Sequence, residues 1–476
     1  MGSIISIDII RYLGKPKLEA SVWELARKHG QDIVCEHLNQ LLALSVNHSP
    51  PLFSIDAPET ACYKTSFSEV TRRINTVLSS IAIGLTDSCN MACHYCIYSG
   101  KYEARSHRSN HIMSPKVLED VLKYFIEHST EKTDKLHCGF YGGEPTLCFE
   151  LIRHATNFLD REMNDNRLYT IGITTNFLNI STEMLSFFRD HDFLVYVSLD
   201  GPKHIHDRYR VRQDGNGTFD QIVKNLRKLK EIDQEYYDRR VLLQTTLTPP
   251  YEMRELCEFF DNHDLVPRES GGVVPNFVET PENFIQNCIS RFSNIESVFE
   301  LQKEYLKQAL LGRLQGAKNK RFIEKMFDRQ FLDVYRRKRL NCSLPKSVFP
   351  GGICLPGQRK LYVRWDGTYF PCEKTPEYKS LIIGNHKRGV DVEKAYKLCQ
   401  EFVAMTANDC TQCWAMLLCN SICFVHAFDD NGPAPEKKRK ACEVLRKSKS
   451  ELLSEMCSVL EKTPTAFDHL NEYVVS

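Results

Sequence analysis

The sequence predicts an α/β fold: a parallel sheet covered by helices, with a small α+β unit before it and a cysteine-rich module after it. Three observations carry this reading. Strand-like and helix-like segments alternate from about residue 80 to 270. Glycine-rich and short polar sequences follow the strand-like segments, where a parallel sheet gathers its binding chemistry. The nineteen cysteines include a tight triplet near residue 90 and a longer series beyond residue 340.

The first 75 or so residues lack the alternation. Ile4 to Tyr12 reads as a strand, Val22 to Lys28 and Gln31 to Leu44 as helices, and Leu52-Phe53-Ser54 as a closing strand. The second helix keeps Val34, Leu38, Leu41 and Leu42 on one face. Ser80-Ile-Ala-Ile-Gly-Leu-Thr then reads as a buried strand. Ser114-Pro115 opens a helix, with Ser as N-cap and Pro at the first helical position. Its apolar residues Val117, Leu118, Val121, Leu122, Phe125 and Ile126 share one face. Further strands are expected at Leu136 to Tyr141, Leu168 to Thr174, Phe193 to Leu199 and Val241 to Leu247. Helices are expected at Glu150 to Met163, Thr182 to His191, Thr218 to Ile232 and Met253 to His263. The run Gly271 to Asn276 ends the last strands of this region, and a helical bridge including Glu296 to Leu311 follows. Asp366-Gly367, flanked by Leu361 to Trp365 and Thr368 to Pro371, signals a two-residue hairpin ending in Cys372.

A chain of 476 residues is too long for one compact core, so two to four domains are expected. A formal charge of +1 argues against a general nucleic-acid or membrane-surface binder. No apolar run approaches a membrane span, and the N-terminus lacks a signal-peptide pattern. The expected location is the cytoplasm, where grouped cysteines are metal ligands more often than disulfides.

The triplet reads Cys89-Asn-Met-Ala-Cys93-His-Tyr-Cys96. Three thiolates so spaced can hold three irons of a 4Fe–4S cube and leave the fourth iron open for a reacting molecule; an electron-transfer cluster would have a fourth cysteine nearby. None follows until Cys138. Cys410-x2-Cys413-x5-Cys419-x3-Cys423, with Cys442 beyond, marks a metal-stapled module for which zinc is the competing metal. Cys35, Cys62, Cys138, Cys148, Cys257, Cys288, Cys399 and Cys457 are isolated, and the default for each is a small buried hydrophobe.

The triplet, with Tyr95 before its third cysteine, resembles the radical S-adenosylmethionine (SAM) superfamily. Tyr141-Gly142-Gly143-Glu144-Pro145 resembles the GGEP motif of those enzymes, in which the strand-end backbone and the Glu hold the SAM amino group. Thr175, Asn176, Ser198 and Asp200 stand at strand ends suited to a ribose and an amino-acid carboxylate. Arg210, preferred to Arg208, corresponds to the arginine that meets the SAM carboxylate in the SPASM branch. Cys354, Gly367-x4-Cys372, the 410–423 series and Cys442 match the SPASM pattern. The resemblance implies a partial (β/α)6 TIM-like barrel with a small α+β N-terminal domain and a C-terminal iron–sulfur SPASM domain. It implies three 4Fe–4S clusters: one on Cys89, Cys93 and Cys96, one on Cys354, Cys372 and Cys423 with Cys342 as an open question, and one on Cys410, Cys413, Cys419 and Cys442. The implied boundaries are 1–75 for a peptide-recognition unit of winged-helix type, 76–295 for the barrel, 296–341 for the bridge, 342–450 for SPASM and 451–476 for a C-terminal helix or tail.

By the same resemblance the reduced cluster cleaves SAM, and a 5′-deoxyadenosyl radical takes hydrogen from a peptide or protein. The favoured reading is a maturase that installs side-chain crosslinks, Cys thioethers first among them, in a ribosomally made precursor with a leader segment. A flavodoxin or ferredoxin is the expected reductant. The alternative is an anaerobic sulfatase-maturating enzyme that forms formylglycine; such enzymes carry Asp after the hairpin cysteine, where this chain has Glu373, a carboxylate suited to deprotonating a substrate thiol. A non-catalytic metal-stapled scaffold is the reading of a different class.

Overall fold

The computed structural model of the chain describes residues 26–36, 58–99, 109–131, 136–163, 169–278, 298–314, 321–335, 346–348, 354–419 and 423–472. Of the front unit, 26–29 and 31–36 are helical, within the two helices expected there; the strands expected at Ile4 and Leu52 lie outside the described residues.

Six parallel strands follow: β1 (Ser80–Thr86), β2 (Leu136–Gly142), β3 (Tyr169–Thr175), β4 (Leu194–Ser198), β5 (Val241–Leu247) and β6 (Val273–Phe277). Each pairs in parallel with its sequence neighbour. The hairpin β7 (Lys360–Val363) and β8 (Thr368–Phe370) extends this sheet, because β7 pairs in parallel with β1. Two short strands, β9 (Gly384–Asn385) and β10 (Gly389–Val390), complete the order β10-β9-β8-β7-β1-β2-β3-β4-β5-β6. The sheet is open, with β6 and β10 at its ends, and no closed barrel forms among the described residues.

Alternation along each strand divides the sheet into two faces. Ile81, Ile83 and Leu85 of β1, Cys138 and Phe140 of β2, and Ile171 and Ile173 of β3 are buried in the main core. The opposite face is small or polar: His137, Gly139, Gly172, Thr174, Tyr196, Gln244 and Asn276 line a cavity. The two glycines serve a packing need, since a Cβ on Gly172 would lie 2.6 Å from the His137 ring and one on Gly139 3.1 Å from it. Helices cover the apolar face. The helix Pro115–Glu127 starts at the expected cap, Ser114 accepting from the Val117 N–H at 3.3 Å, and buries Leu118, Val121, Leu122 and Phe125.

Most other elements fall within a residue or two of expectation, including helices Phe149–Glu162, Thr182–Asp190, Phe219–Ile232, Met253–Asn262 and Val298–Leu310. Helices Lys203–Tyr209 and Gln234–Arg240 were not expected. The β7–β8 turn also differs. Gly367 donates to the Arg364 carbonyl and Arg364 to the Thr368 carbonyl, so the loop has three residues and Gly367 takes the left-handed position at φ +81°. The helix Pro435–Lys462 runs unbroken through residue 450, the boundary expected from sequence. Of the isolated cysteines, Cys138, Cys148 and Cys399 are buried; Cys35 and Cys62 are exposed, contrary to the default, and Cys288 lies outside the described residues. No described helix is long and apolar enough to cross a membrane.

Candidate active site

The three triplet cysteines follow β1 in a loop braced from two sides. From one side, the segment around Arg210 grips its backbone: Ala92 donates to the Val211 carbonyl at 2.7 Å and His94 to that of Tyr209 at 2.9 Å. Gln213 Nε2 donates to the carbonyls of Cys89 and Met91. From the other side comes the end of β2. Gly143 donates to the Thr86 carbonyl at 2.7 Å and Glu144 to that of Ser88 at 2.8 Å. A Cβ on Gly143 would lie 2.1 Å from the Ser88 oxygen, and one on Gly142, whose φ is +115°, 2.4 Å from the Thr86 oxygen. The sequence reading placed these glycines against a ligand; here the contact demanding them is the backbone that leads into Cys89.

Glu144 is buried and ties β2 to β3. Its Oε1 accepts from the Thr146 and Thr175 hydroxyls, each at 2.7 Å, and its Oε2 from the Asn176 N–H at 2.7 Å. Burial raises its pKa against the pull of these hydrogen bonds. Asn176 Nδ2 donates to Asn90 Oδ1 at 2.7 Å and lies 3.7 Å from Cys89 Sγ.

The end of β4 supports an ion pair. Asp200 and Arg210 are both buried, with Arg210 Nε 2.9 Å from Asp200 Oδ2. Tyr95 donates its hydroxyl to the same oxygen, Thr246 N–H donates to Oδ1 at 2.9 Å, and the Arg210 guanidinium lies 5.4 Å from the Tyr95 ring centre. Burial would lower the Arg210 pKa, but the facing Asp200 charge outweighs it and the group is held protonated. Arg208 instead forms a bidentate pair with Glu252 at 2.7 and 2.8 Å. Behind the pair, His206 is fully buried, which lowers its pKa to about 3. Its Nδ1 accepts from the Asp200 N–H, so Nε2 carries the proton and donates to Thr218, whose hydroxyl donates to the Arg210 carbonyl.

These pieces enclose one cavity of about 270 Å³, lined by Cys89, Cys93, Tyr95, Cys96, Gly142, Gly143, Glu144, Thr175, Asn176, Ser198 and Arg210. Asp200 is not on its wall and acts from behind. Gln244, Thr246 and Asn276 of β5 and β6, missed from the sequence, also line it. Their signal was polar residues toward the C-terminal end of a strand that begins apolar. Glu373 and Lys374, beyond β8, lie where this cavity meets the second one of about 360 Å³ inside the sheet. Lys360 Nζ holds Glu373 Oε1 at 2.6 Å.

The triplet suits a cluster open at one corner. Burial pushes the Cys89 thiol up to about 12, with Glu144, Cys93 and Cys96 adding to the rise; iron ligation removes that proton outright. Asn90 Nδ2 is buried beside Cys89 without a hydrogen-bond partner, a donor available to a ligated sulfur. A thiolate zinc site would bring sulfurs to about 3.8 Å from one another, from metal–sulfur bonds of about 2.3 Å. Among the described residues no three cysteine sulfurs come within 4.8 Å of one another. The hydroxyls, the amides and Arg210 suit an amino-acid carboxylate and a ribose.

In the C-terminal module, Cys410, Cys419 and Cys442 lie within electrostatic reach of one another, and Cys413 of Cys410. Cys354 is within reach of Cys372 and of buried Cys399. Cys423 is exposed, and Cys342 lies outside the described residues.

Residues 83–261 match the Radical SAM superfamily model. The chain is 25% identical over 369 residues to the cysteine-type anaerobic sulfatase-maturating enzyme of Clostridium novyi, covering 73% of this chain and 87% of that enzyme. It is 27% identical to the serine-type enzyme of Bacteroides thetaiotaomicron over 181 residues, 37% of this chain and 42% of that one. The solved structure "Native anSMEcpe with bound AdoMet" aligns with TM-score 0.57 at 19% identity, over 83% of this chain and all of that chain, which shows a common fold. The same protein "with bound AdoMet and Cp18Cys peptide" aligns with TM-score 0.55.

Proposed function

Residues 83–261 are a Radical SAM domain, and from that premise we propose that the chain is a maturase of peptide or protein substrates that works by hydrogen abstraction. One observation carries the reading: a single cavity joins the cysteine triplet, the Gly142-Gly143-Glu144 strand end, Arg210 and the hairpin's Glu373. When bound, a 4Fe–4S cluster and SAM supply one-electron chemistry that generates a hydrogen-abstracting carbon radical; the protein's part is binding, orientation and exclusion of side reactions. Cys89, Cys93 and Cys96 hold the cluster, and the Gly143–Ser88 contact fixes their loop. Arg210, oriented by Asp200, takes the SAM carboxylate. Glu144 acts through Thr175 and Asn176 as a positioning residue. Glu373, paired with Lys360, takes the proton of a substrate thiol within the shared cavity.

For the bond made we retain thioether crosslinking of a cysteine-bearing precursor peptide. The test is anaerobic co-production with such a peptide, followed by mass measurement. Loss of a hydrogen pair per linkage, with thiols no longer alkylatable, supports it. The formylglycine reading is favoured by the carboxylate at Glu373 and by the sulfatase-maturating relatives. An aldehyde on a sulfatase-type peptide, reactive to hydrazide, would replace crosslinking with that chemistry. Absence of SAM cleavage in an iron-loaded preparation would refute both.

A further inference from the structure

Lys438 is an ammonium buried to 2% exposure in the C-terminal module. Among the described residues no carboxylate lies within salt-bridge distance of it. Its Nζ donates to the Phe402 carbonyl, near the end of the helix Val392–Ala404, and sits 3.9 Å from the Phe402 ring centre. Asp409, an acidic group within its electrostatic reach, is paired with Arg439 at 2.8 Å. Burying an ammonium without a counter-anion is unfavourable, so a negative partner is to be expected close by. The thiols within its electrostatic reach are Cys410, Cys419 and Cys442. Cys442 stands four residues on along the same helix, hence on the same face. Arg446, one turn further, also faces Cys442.

We propose that Lys438 is the built-in counter-charge of an iron–sulfur cluster held by Cys410, Cys413, Cys419 and Cys442, and that it raises the reduction potential of that cluster above the value the thiolates alone would set. The inference rests on the maturase reading only through the presence of that cluster. Adding one electron makes a thiolate-bound cluster one unit more negative, and a fixed cation at a dry site stabilises the reduced form more than the oxidised one. The step is the gain of one electron from the reductant, with no proton transferred. The rival is that Lys438 merely caps the helix end at Phe402, which would leave the potential unchanged.

The experiment uses the full chain, reconstituted anaerobically, with Lys438→Met, Lys438→Gln and Lys438→Arg. Iron and sulfide are counted, and each preparation is titrated with dithionite under electron paramagnetic resonance. The expected result is that one cluster titrates at a more negative potential in both neutral variants, with the others unmoved and the Arg variant close to wild type. The same assignment follows if both neutral variants lose one cluster's iron while the Arg variant keeps it. Unchanged potentials in the neutral variants, or an equal shift in Lys438→Arg, would overturn it. Iron content that does not fall when Cys410 and Cys413 of the otherwise wild-type chain are replaced by Ala would refute the cluster itself, a separate failure.

Discussion

Gly143→Ala is a methyl-sized change with a consequence that can be worked out from the structure. Its Cβ would lie 2.1 Å from the Ser88 oxygen, 2.7 Å from the Ser88 carbonyl carbon and 2.8 Å from that of Asp87. All three are backbone atoms, so no side chain can swing aside. Reaching ordinary contact requires a movement of the Asp87–Ser88 segment of roughly 1 Å or more. That movement breaks the paired hydrogen bonds from Gly143 to Thr86 and from Glu144 to Ser88, costing about 1–3 kcal/mol together. Cys89 is the next residue, and metal–ligand bonds tolerate only about 0.2 Å. The expected variant therefore folds but loses the iron of the triplet, about four irons per chain, with SAM cleavage abolished. Gly215→Ala is the control: its φ is +85°, yet nothing lies within 4 Å of the added Cβ. It should cost about 1 kcal/mol of strain and keep its iron. Iron and sulfide analysis with thermal unfolding reads both variants. A Gly143→Ala chain with full iron and SAM cleavage within about threefold of wild type would refute the reasoning.

Replacing Cys89, Cys93 and Cys96 by Ala should abolish deoxyadenosine formation while the C-terminal iron remains; surviving cleavage would misplace the site. Asp200→Asn leaves a buried guanidinium without its counter-charge, costing about 3–5 kcal/mol, and calorimetry should show a large fall in melting temperature that Arg210→Met partly restores in the double variant. Glu373→Gln should suppress product formation while uncoupled SAM cleavage continues, and loss of both would make its role structural. His206 has a folded pKa of about 3, below its unfolded value of about 6.5. Its stabilising contribution is complete above about pH 6.5 and is lost as pH falls toward 3. The melting temperature of the iron-free chain should thus drop more between pH 7 and 5 than that of His206→Gln; equal slopes would count against a buried neutral imidazole.

Where a signal is local, the sequence revealed it. Ser114-Pro115 and the run Ser80 to Thr86 are recognisable because a cap and an apolar stretch need no distant partner. Helices Lys203–Tyr209 and Gln234–Arg240 escaped because seven residues hold too little periodicity, and their sequences are mostly polar. The site residues were legible by type and by their place at strand ends, but their partners were not. Asp200 reads like a ligand-facing strand end, yet its carboxylate points to Arg210, Tyr95 and the Thr246 amide, all brought to it by tertiary packing. The need for glycine at 143 comes from Ser88, and the proton on His206 Nε2 follows from an amide six residues before it. Such pairings cross between elements and leave no trace in a linear pattern.

The two cysteine territories are more closely coupled than their separation in sequence implies. β1 delivers the Cys89 loop from its C-terminal end and pairs along one edge with β7, in the register Ser80↔Lys360 to Ile83↔Val363. That register places Lys360, whose ammonium holds Glu373. A second link joins the far end of the hairpin to the same loop: Trp365 stacks on His111 at 4.0 Å, and His111 Nδ1 is 3.1 Å from Asp87, two residues before Cys89. The hairpin is thus fastened to β1 along its length and at its tip. A slip of one residue in the β1–β7 pairing would turn each β7 side chain to the opposite face and carry the Lys360–Glu373 pair out of the cavity. The Glu373 carboxylate is therefore positioned by the strand that positions the triplet, so the two ends of the cavity are tied to the same strand.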